Sequence, residues 1–320
     1  MMKKAVSGVI STSQNLITSM ESINDYRDGK QQFDIVASNR RKVILVNYAA
    51  MGYLLSLAVI LFFVTNYLTI PFYCVIQQHA PDSTFYYKAF SWFLLSNFFL
   101  NYSLILLGAV KSLYCSPKDL PLFNAREHED WGMCQRCDRR VPIRTRHCNI
   151  CDRCILKRDH HCYFTGCCIG FYNQRYFICL CFYGALATMY GFYFLEHYLS
   201  ATYVTLFSIE FYKYFLPYTT MLWLLGYQDF ATVLLVLLLY MTFVGVGGAS
   251  YFFIWQCNLI LSGQTSYELM KGRKMFQTTP LNHLKSIFGP HWYLNFVFPM
   301  PFLKSEDDGI RWNITSTKFM

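Results

Sequence analysis

Charge is scarce in this chain. Of its 320 residues only 15% are charged, whereas 54% are apolar and 19% aromatic. Ordinary soluble domains carry about a quarter charged residues, so a conventional soluble enzyme is excluded and a multi-pass membrane protein is expected. Basic residues are nearly missing from two stretches: residues 69–88 hold only Lys88, and residues 200–230 hold only Lys213. Internal repeats and low-complexity blocks are absent. A clean apolar core near the amino terminus is also lacking. Lys3 and Lys4 precede a segment broken by Ser7, Ser11, Ser13 and Gln14, so no cleavable signal peptide is expected. The apolar runs carry no line of ionisable groups of the kind an ion channel or transporter needs.

Four apolar runs are present, at residues 43–68, 89–110, 176–199 and 231–257. Each reaches the ~20 residues that a helix needs to cross a bilayer. Segment 200–230 is aromatic but carries Glu210, Lys213, Pro217 and Asp229. Charges at a helix centre cost about 2.5–3.5 kcal/mol each on insertion scales, so this segment reads as an interfacial, partly re-entrant loop rather than a fifth span. The other 26 of the 28 Lys and Arg residues fall in the amino-terminal segment, the central loop and the tail. The positive-inside rule places all three in the cytosol. The domains expected are a cytosolic segment 1–42, spans one and two with a lumenal loop (43–110), a cytosolic cysteine-rich loop (111–175), spans three and four with a lumenal loop (176–257), and a cytosolic tail (258–320). The sequons at Asn101, inside a span, and Asn313, in the tail, are expected to be unused.

Of thirteen cysteines, eight lie between residues 134 and 168. In a reducing compartment such spacing points to metal rather than disulfides. The candidate ligands are Cys134, Cys137, His147, Cys148, Cys151, Cys154, His161 and Cys168. Zinc takes four thiolate or imidazole ligands, so eight make two Cys3His sites. Spacing alone leaves their pairing open. Cys162 is then left without a metal, beside Asp159 and His160 in the run Asp159-His160-His161-Cys162. A zinc module for nucleic acid would also be basic and cysteine-rich, but tethering between two spans disfavours it. A purely structural zinc scaffold accounts for eight ligands and not for Asp159, His160 and Cys162. A zinc-scaffolded thiol enzyme accounts for all of them.

Segment 134–177 resembles the cysteine-rich domain of the DHHC protein S-acyltransferases, or palmitoyltransferases. The matching residues are Cys134-x2-Cys137, Pro142-x-Arg144-x2-His147-Cys148, Cys151-x2-Cys154, Asp159-His160-His161-Cys162, Cys168-x-Gly170, Asn173 and Phe177. Past the fourth span, Thr265-Ser266-Tyr267-Glu268 is similar to the family's Thr-Thr-x-Glu motif, although Thr-x2-Glu also fits a helix capping box. Asn282 with Phe288-Gly289 is similar to the family's carboxy-terminal motif.

The resemblance implies an all-α polytopic membrane protein, with four transmembrane helices and a cytosolic zinc-binding domain between the second and third. It implies interleaved sites for two structural zinc ions, one on Cys134, Cys137, His147 and Cys154, the other on Cys148, Cys151, His161 and Cys168. Cys162 becomes the nucleophile, His160 its general base and Asp159 the group that orients His160. Thr265, Ser266, Glu268 and Asn282 become active-site support. The implied reaction is ping-pong transfer from a fatty acyl-CoA to Cys162 and on to cysteines of substrate proteins. Membrane lipids are further partners, nucleic acid is not, and an accessory subunit is compatible with the family. Endoplasmic reticulum or Golgi is the family expectation.

Gly184, Ala185, Ala187 and Gly191 on the third run would leave room for an acyl chain or allow close helix packing. Arg136, Arg139, Arg140, Arg144 and Arg146 are candidates for CoA phosphates or lipid headgroups. Two departures from the family pattern stand at Tyr163-Phe164 (usually Pro-Trp) and Gly166-Cys167 (usually Asn-Asn). They support the rival class of function, a non-catalytic membrane adaptor on the same fold.

Overall fold

A computed structural model describes residues 29–112, 131–272, 274, 276, 278–302, 305, 307–310 and 312, with side chains from residue 41 onward, Pro81 aside. Asn313, residues 1–28 of the amino-terminal segment and residues 113–130 of the central loop lie outside the described residues. The chain divides into two units, residues 1–45 and 46–320. Among the described residues, the first contains only the start of helix α1 (Gly29–Val64).

Among the described residues, four helices are long and apolar enough to cross a membrane: Arg41–Ile76, Asp82–Lys111, Gln174–Thr202 and Phe230–Leu261. Each contains the whole of one apolar run and continues past it. At 1.5 Å per residue a helix of some 30 residues is about 45 Å long, so its ends stand clear of a hydrocarbon layer of about 30 Å. The first span is not uniform. After α1 the backbone widens into a π-helical turn at Thr65–Thr69 and then re-forms α2 (Ile70–Ile76). Pro71 sits at the start of α2. A proline ring collides with the carbonyl four residues back, and the wider turn relieves this, with the Ile70 N–H bonding Thr65 O.

Span two is α3 (Pro81–Lys111). In the described part of the cysteine-rich segment, from residue 131 to 173, the chain forms strands and turns. It forms three antiparallel hairpins: β1 (Gly132–Cys134) with β2 (Arg139–Val141), β3 (Arg146–Cys148) with β4 (Arg153–Ile155), and β5 (His160–Cys162) with β6 (Cys167–Ile169). Asp138 and Asp152, each directly after a Cys-x2-Cys pair, turn the chain at positive φ, where Asp is better tolerated than bulkier residues. Isolated two-stranded hairpins are marginal in water, so this segment needs another source of stability.

Span three is α4 (Gln174–Thr202) and packs against both α3 and span four. Its first turn meets span two closely: a Cβ at Gly108 would stand 2.8 Å from Asn173 Cβ. Segment 200–230 holds a 3-10 turn (Ile209–Tyr214) and the nine-residue helix α5 (Leu216–Leu224). Nine helical residues reach about 14 Å, too short to cross. Phe207, Ile209, Phe211 and Phe215 are exposed there, in keeping with the interfacial expectation. Span four is α6 (Phe230–Leu261), followed by α7 (Ser266–Met270), α8 (Pro280–Phe288) and a 3-10 turn (Trp292–Phe296).

Candidate active site

Strand alternation organises the site. Successive side chains in a strand point to opposite faces, and cross-strand partners share a face. In the third hairpin His160 pairs with Ile169, His161 with Cys168 and Cys162 with Cys167. His161 and Cys168 therefore face one way, and His160 and Cys162 the other. In the second hairpin His147 pairs with Cys154, while its neighbour Cys148 faces the opposite side. Adjacent residues thus serve different clusters.

The two clusters are Cys134, Cys137, His147, Cys154 and Cys148, Cys151, His161, Cys168, with all ligand atoms within 4.8 Å of one another in each. In the first, Cys137 Sγ is 3.3 Å from His147 Nδ1 and 3.5 Å from Cys154 Sγ. In the second, His161 Nδ1 is 3.3 Å from Cys151 Sγ, and Cys151 Sγ is 3.7 Å from Cys168 Sγ. A zinc tetrahedron with Zn–S of about 2.3 Å has edges of about 3.8 Å, so both donor sets fit zinc in type, number and size. The far ring nitrogen of His161 lies 3.2 Å from the Asn47 side-chain amide on span one.

On the other face lies a hydrogen-bonded array in which Asp159 and Cys162 are buried and His160 is half-buried. His160 Nδ1 donates to Asp159 Oδ2 at 2.8 Å, which leaves Nε2 for Cys162. The Gln256 amide on span four donates to the same oxygen at 2.7 Å, and the Ser266 N–H donates to Asp159 Oδ1 at 2.5 Å. Burial pushes the Asp159 carboxyl up, but His160, Ser266 and Gln256 outweigh it and hold it down at about 2. Burial pulls His160 down, yet Asp159 and Cys162 raise it to about 9. Burial raises the Cys162 thiol, and His160 and Thr165 more than offset that, leaving it below an ordinary thiol. All three directions favour a carboxylate–imidazolium–thiolate array.

The array is pinned by residues from beyond span four. Thr265 caps α7 with a full capping box, accepting from the Glu268 N–H at 3.3 Å while Glu268 Oε2 accepts from the Thr265 N–H at 2.8 Å. Thr-x2-Glu is therefore a cap that also aims the next amide, Ser266 N–H, at Asp159. Glu268 binds Arg144 through two contacts, at 2.8 and 2.5 Å. The Arg144 guanidinium is buried, and the rings of Phe276 and Trp312 each lie 4.5 Å from it. Arg144 is thus committed inside the fold, which corrects its expected availability to phosphates. Arg146 is partly committed too, over the Tyr267 ring. Asn282 does not join the others: it is exposed, and its side chain bonds Thr278 Oγ1. Its neighbour His283 is the buried residue, lying against the Gly263 turn.

A cavity of about 420 Å³ reaches Cys162 and runs among the four spans. Phe98, Leu180, Gly184, Ala249 and Phe252 form part of its almost wholly apolar wall. The small-residue stripe of span three divides between its two expected roles. Gly184 lines the cavity, with Ala249 Cβ 3.7 Å from the place of a Cβ. Gly191 is a packing contact, where a Cβ would meet Leu61 at 2.6 Å.

A family model for the DHHC palmitoyltransferase domain matches residues 127–273. The Rattus norvegicus palmitoyltransferase ZDHHC22 is 31% identical over 80% of this chain and 93% of its own length. Its Homo sapiens counterpart is 30% identical over 82% and 95%. The Homo sapiens probable palmitoyltransferase ZDHHC24 is 30% identical over 59% of this chain and 66% of its own length. The chain belongs to the DHHC palmitoyltransferase family. As a family member it departs from the usual pattern at Tyr163-Phe164 and Gly166-Cys167. The Tyr163 ring meets His161 edge-on with centroids 5.6 Å apart, and Phe164 O accepts from the Tyr102 hydroxyl at 3.2 Å. Gly166 turns the hairpin at φ +63°, and Cys167 packs beside Thr165. Sequence reasoning missed Gln256, Gln174 and Asn47, each a polar residue within or beside an apolar run. That position is itself the signal that could have found them.

Proposed function

We propose that this protein is a protein S-acyltransferase, which takes a long-chain acyl group, palmitoyl above all, from acyl-CoA onto Cys162 and passes it to cysteines of substrate proteins. The observation that carries this reading is the Asp159–His160–Cys162 array, of which His160 and Cys162 line an apolar cavity. Catalytic thiols need thiolate character at cytosolic pH, and His160 supplies it here. The Cys162 thiolate attacks the acyl carbonyl, its new C–S bond replacing the bond to CoA. The departing CoA thiolate takes the proton of the His160 imidazolium. In the second half a substrate thiol returns a proton to His160 and attacks the Cys162 thioester, and Cys162 leaves as thiolate. One thioester replaces another, so no energy source is required. Asp159 holds His160 with Nε2 toward sulfur throughout.

Each methylene of the chain that enters the cavity gains about 0.8 kcal/mol. The two Cys3His clusters would hold structural zinc, which closes each site with four protein ligands and supplies folding energy to the hairpins. Charge asymmetry supports cytosolic termini and a cytosolic active site, where acyl-CoA and substrate cysteines at the membrane surface can meet. An endoplasmic reticulum or Golgi location goes with the family resemblance.

The test is to incubate purified wild type and Cys162→Ser with labelled palmitoyl-CoA. Hydroxylamine-sensitive label on the wild type alone is expected. Equal label on both would sink the assignment of Cys162 and direct attention to Cys167.

A further inference from the structure

We infer that Gln256, near the end of span four, is a positioning residue for acyl transfer, held in turn by Gln174 of span three. The inference rests on the proposed role of Asp159. A buried carboxylate needs donors to stay ionised, and a carboxyl group turns broadly about its last torsion unless both oxygens are held. Here the Ser266 N–H holds Oδ1 and the Gln256 amide holds Oδ2, so the carboxylate plane is set by two groups outside the hairpin. His160 then reads its own orientation from that plane through its bond to Oδ2.

The Gln256 amide is itself oriented. Its Oε1 accepts from Gln174 Nε2 at 3.3 Å, which directs Nε2 toward Asp159. Gln256 is 1% exposed and Gln174 2%. Uncharged polar side chains inside a helix bundle often serve only to join helices. A pure joint would be complete with the glutamine pair alone. The third bond, from Gln256 to Asp159, ties the joint to the reacting array. Gln256 lies one turn from Phe252, and Gln174 lies three residues before Phe177; both aromatic residues line the cavity. The hydrogen-bonded chain that orients His160 thus starts on the same two helices that carry these cavity walls.

The test uses the full-length, zinc-loaded protein and single-turnover labelling by palmitoyl-CoA. Gln256→Met keeps the length and apolar fit of the side chain. It is expected to lower the maximal labelling rate about 10-fold, with the half-saturating acyl-CoA concentration within twofold of wild type and zinc content unchanged. Combined with Asp159→Asn, it should label no more slowly than Asp159→Asn alone, because the two act on one array. Gln174→Met, which leaves the Asp159 contact in place, should give a smaller loss of the same kind; it carries the test should Gln256→Met fail to fold. The inference is overturned if both methionine variants label at the wild-type rate, or if the losses of Gln256→Met and Asp159→Asn multiply. Asp159→Asn labelling at the wild-type rate would overturn it by a different route, removing the catalytic reading on which it stands.

Discussion

Glu268 and Arg144 provide a sharp test of how the catalytic hairpin is held. Their side chains are 9% and 3% exposed, and Arg144 also donates to Gly263 O at 3.1 Å. Glu268→Ala leaves the buried Arg144 guanidinium without its carboxylate partner. Removing one partner of a buried pair costs about 3–5 kcal/mol, and losing the Glu268 half of the capping box adds about 1 kcal/mol. Arg144→Met leaves a carboxylate that still accepts the Thr265 N–H, so its loss should be the smaller. The double variant Arg144→Met with Glu268→Leu replaces the pair by apolar groups and should recover much of the stability, since buried ion pairs contribute little net against well-packed apolar residues. Its labelling should stay low, because the cap that aims Ser266 N–H at Asp159 is still damaged. Thermal unfolding of detergent-purified protein, followed beside single-turnover labelling of Cys162, reads both quantities. The reasoning fails if the double variant is no more stable than Glu268→Ala, or if its labelling recovers in step with its stability.

Three further predictions concern the buried amine and the small-residue stripe. Burial, then Arg144, push Lys157 down to about 7, with Asp307, Glu268 and Asp159 opposing; His283 and the Trp312 ring complete its surroundings. Its folded pKa lies below the unfolded value of 10.5, so the unfolded chain binds the extra proton between about 7 and 10.5 and stability rises with pH across that window. Unfolding temperatures from about pH 7 to 9.5 should climb more steeply in wild type than in Lys157→Met; parallel curves would refute this. In span three, Gly191→Ala should destabilise by about 1–3 kcal/mol by displacing Leu61. Gly184→Leu should instead shift labelling toward shorter acyl chains with little loss of stability. Competition between labelled myristoyl- and stearoyl-CoA checks this last expectation, and an unchanged chain preference would count against the cavity as the acyl site.

The spans were legible because lipid contact demands about 20 apolar residues and little else produces four such runs. Their ends were not, because helices continue into water where apolarity stops reporting on them, as with Gln174 ahead of the run beginning at residue 176. Zinc donor sets leave a mark on residue identity, so the eight ligands stood out. Their interleaving follows from which face each strand residue takes, and ligand spacing alone does not state that the loop is made of strands. Gly184 and Gly191 look alike in a sequence, and only the presence of Leu61 opposite one of them separates packing from cavity. Arg144 shows the limit from the other side. A basic residue in a basic loop is read as a surface charge, and nothing near it in sequence announces a carboxylate 124 residues away. Gln256 sits between these cases. An amide in a run of apolar residues costs free energy unless it finds a partner, so its position alone argues that a partner exists. That the partner is Asp159 requires the fold, since it depends on the end of span four lying against the catalytic hairpin. Local chemistry is thus written in residue type and spacing, whereas the coupling of bundle to hairpin rests on contacts about 100 residues apart.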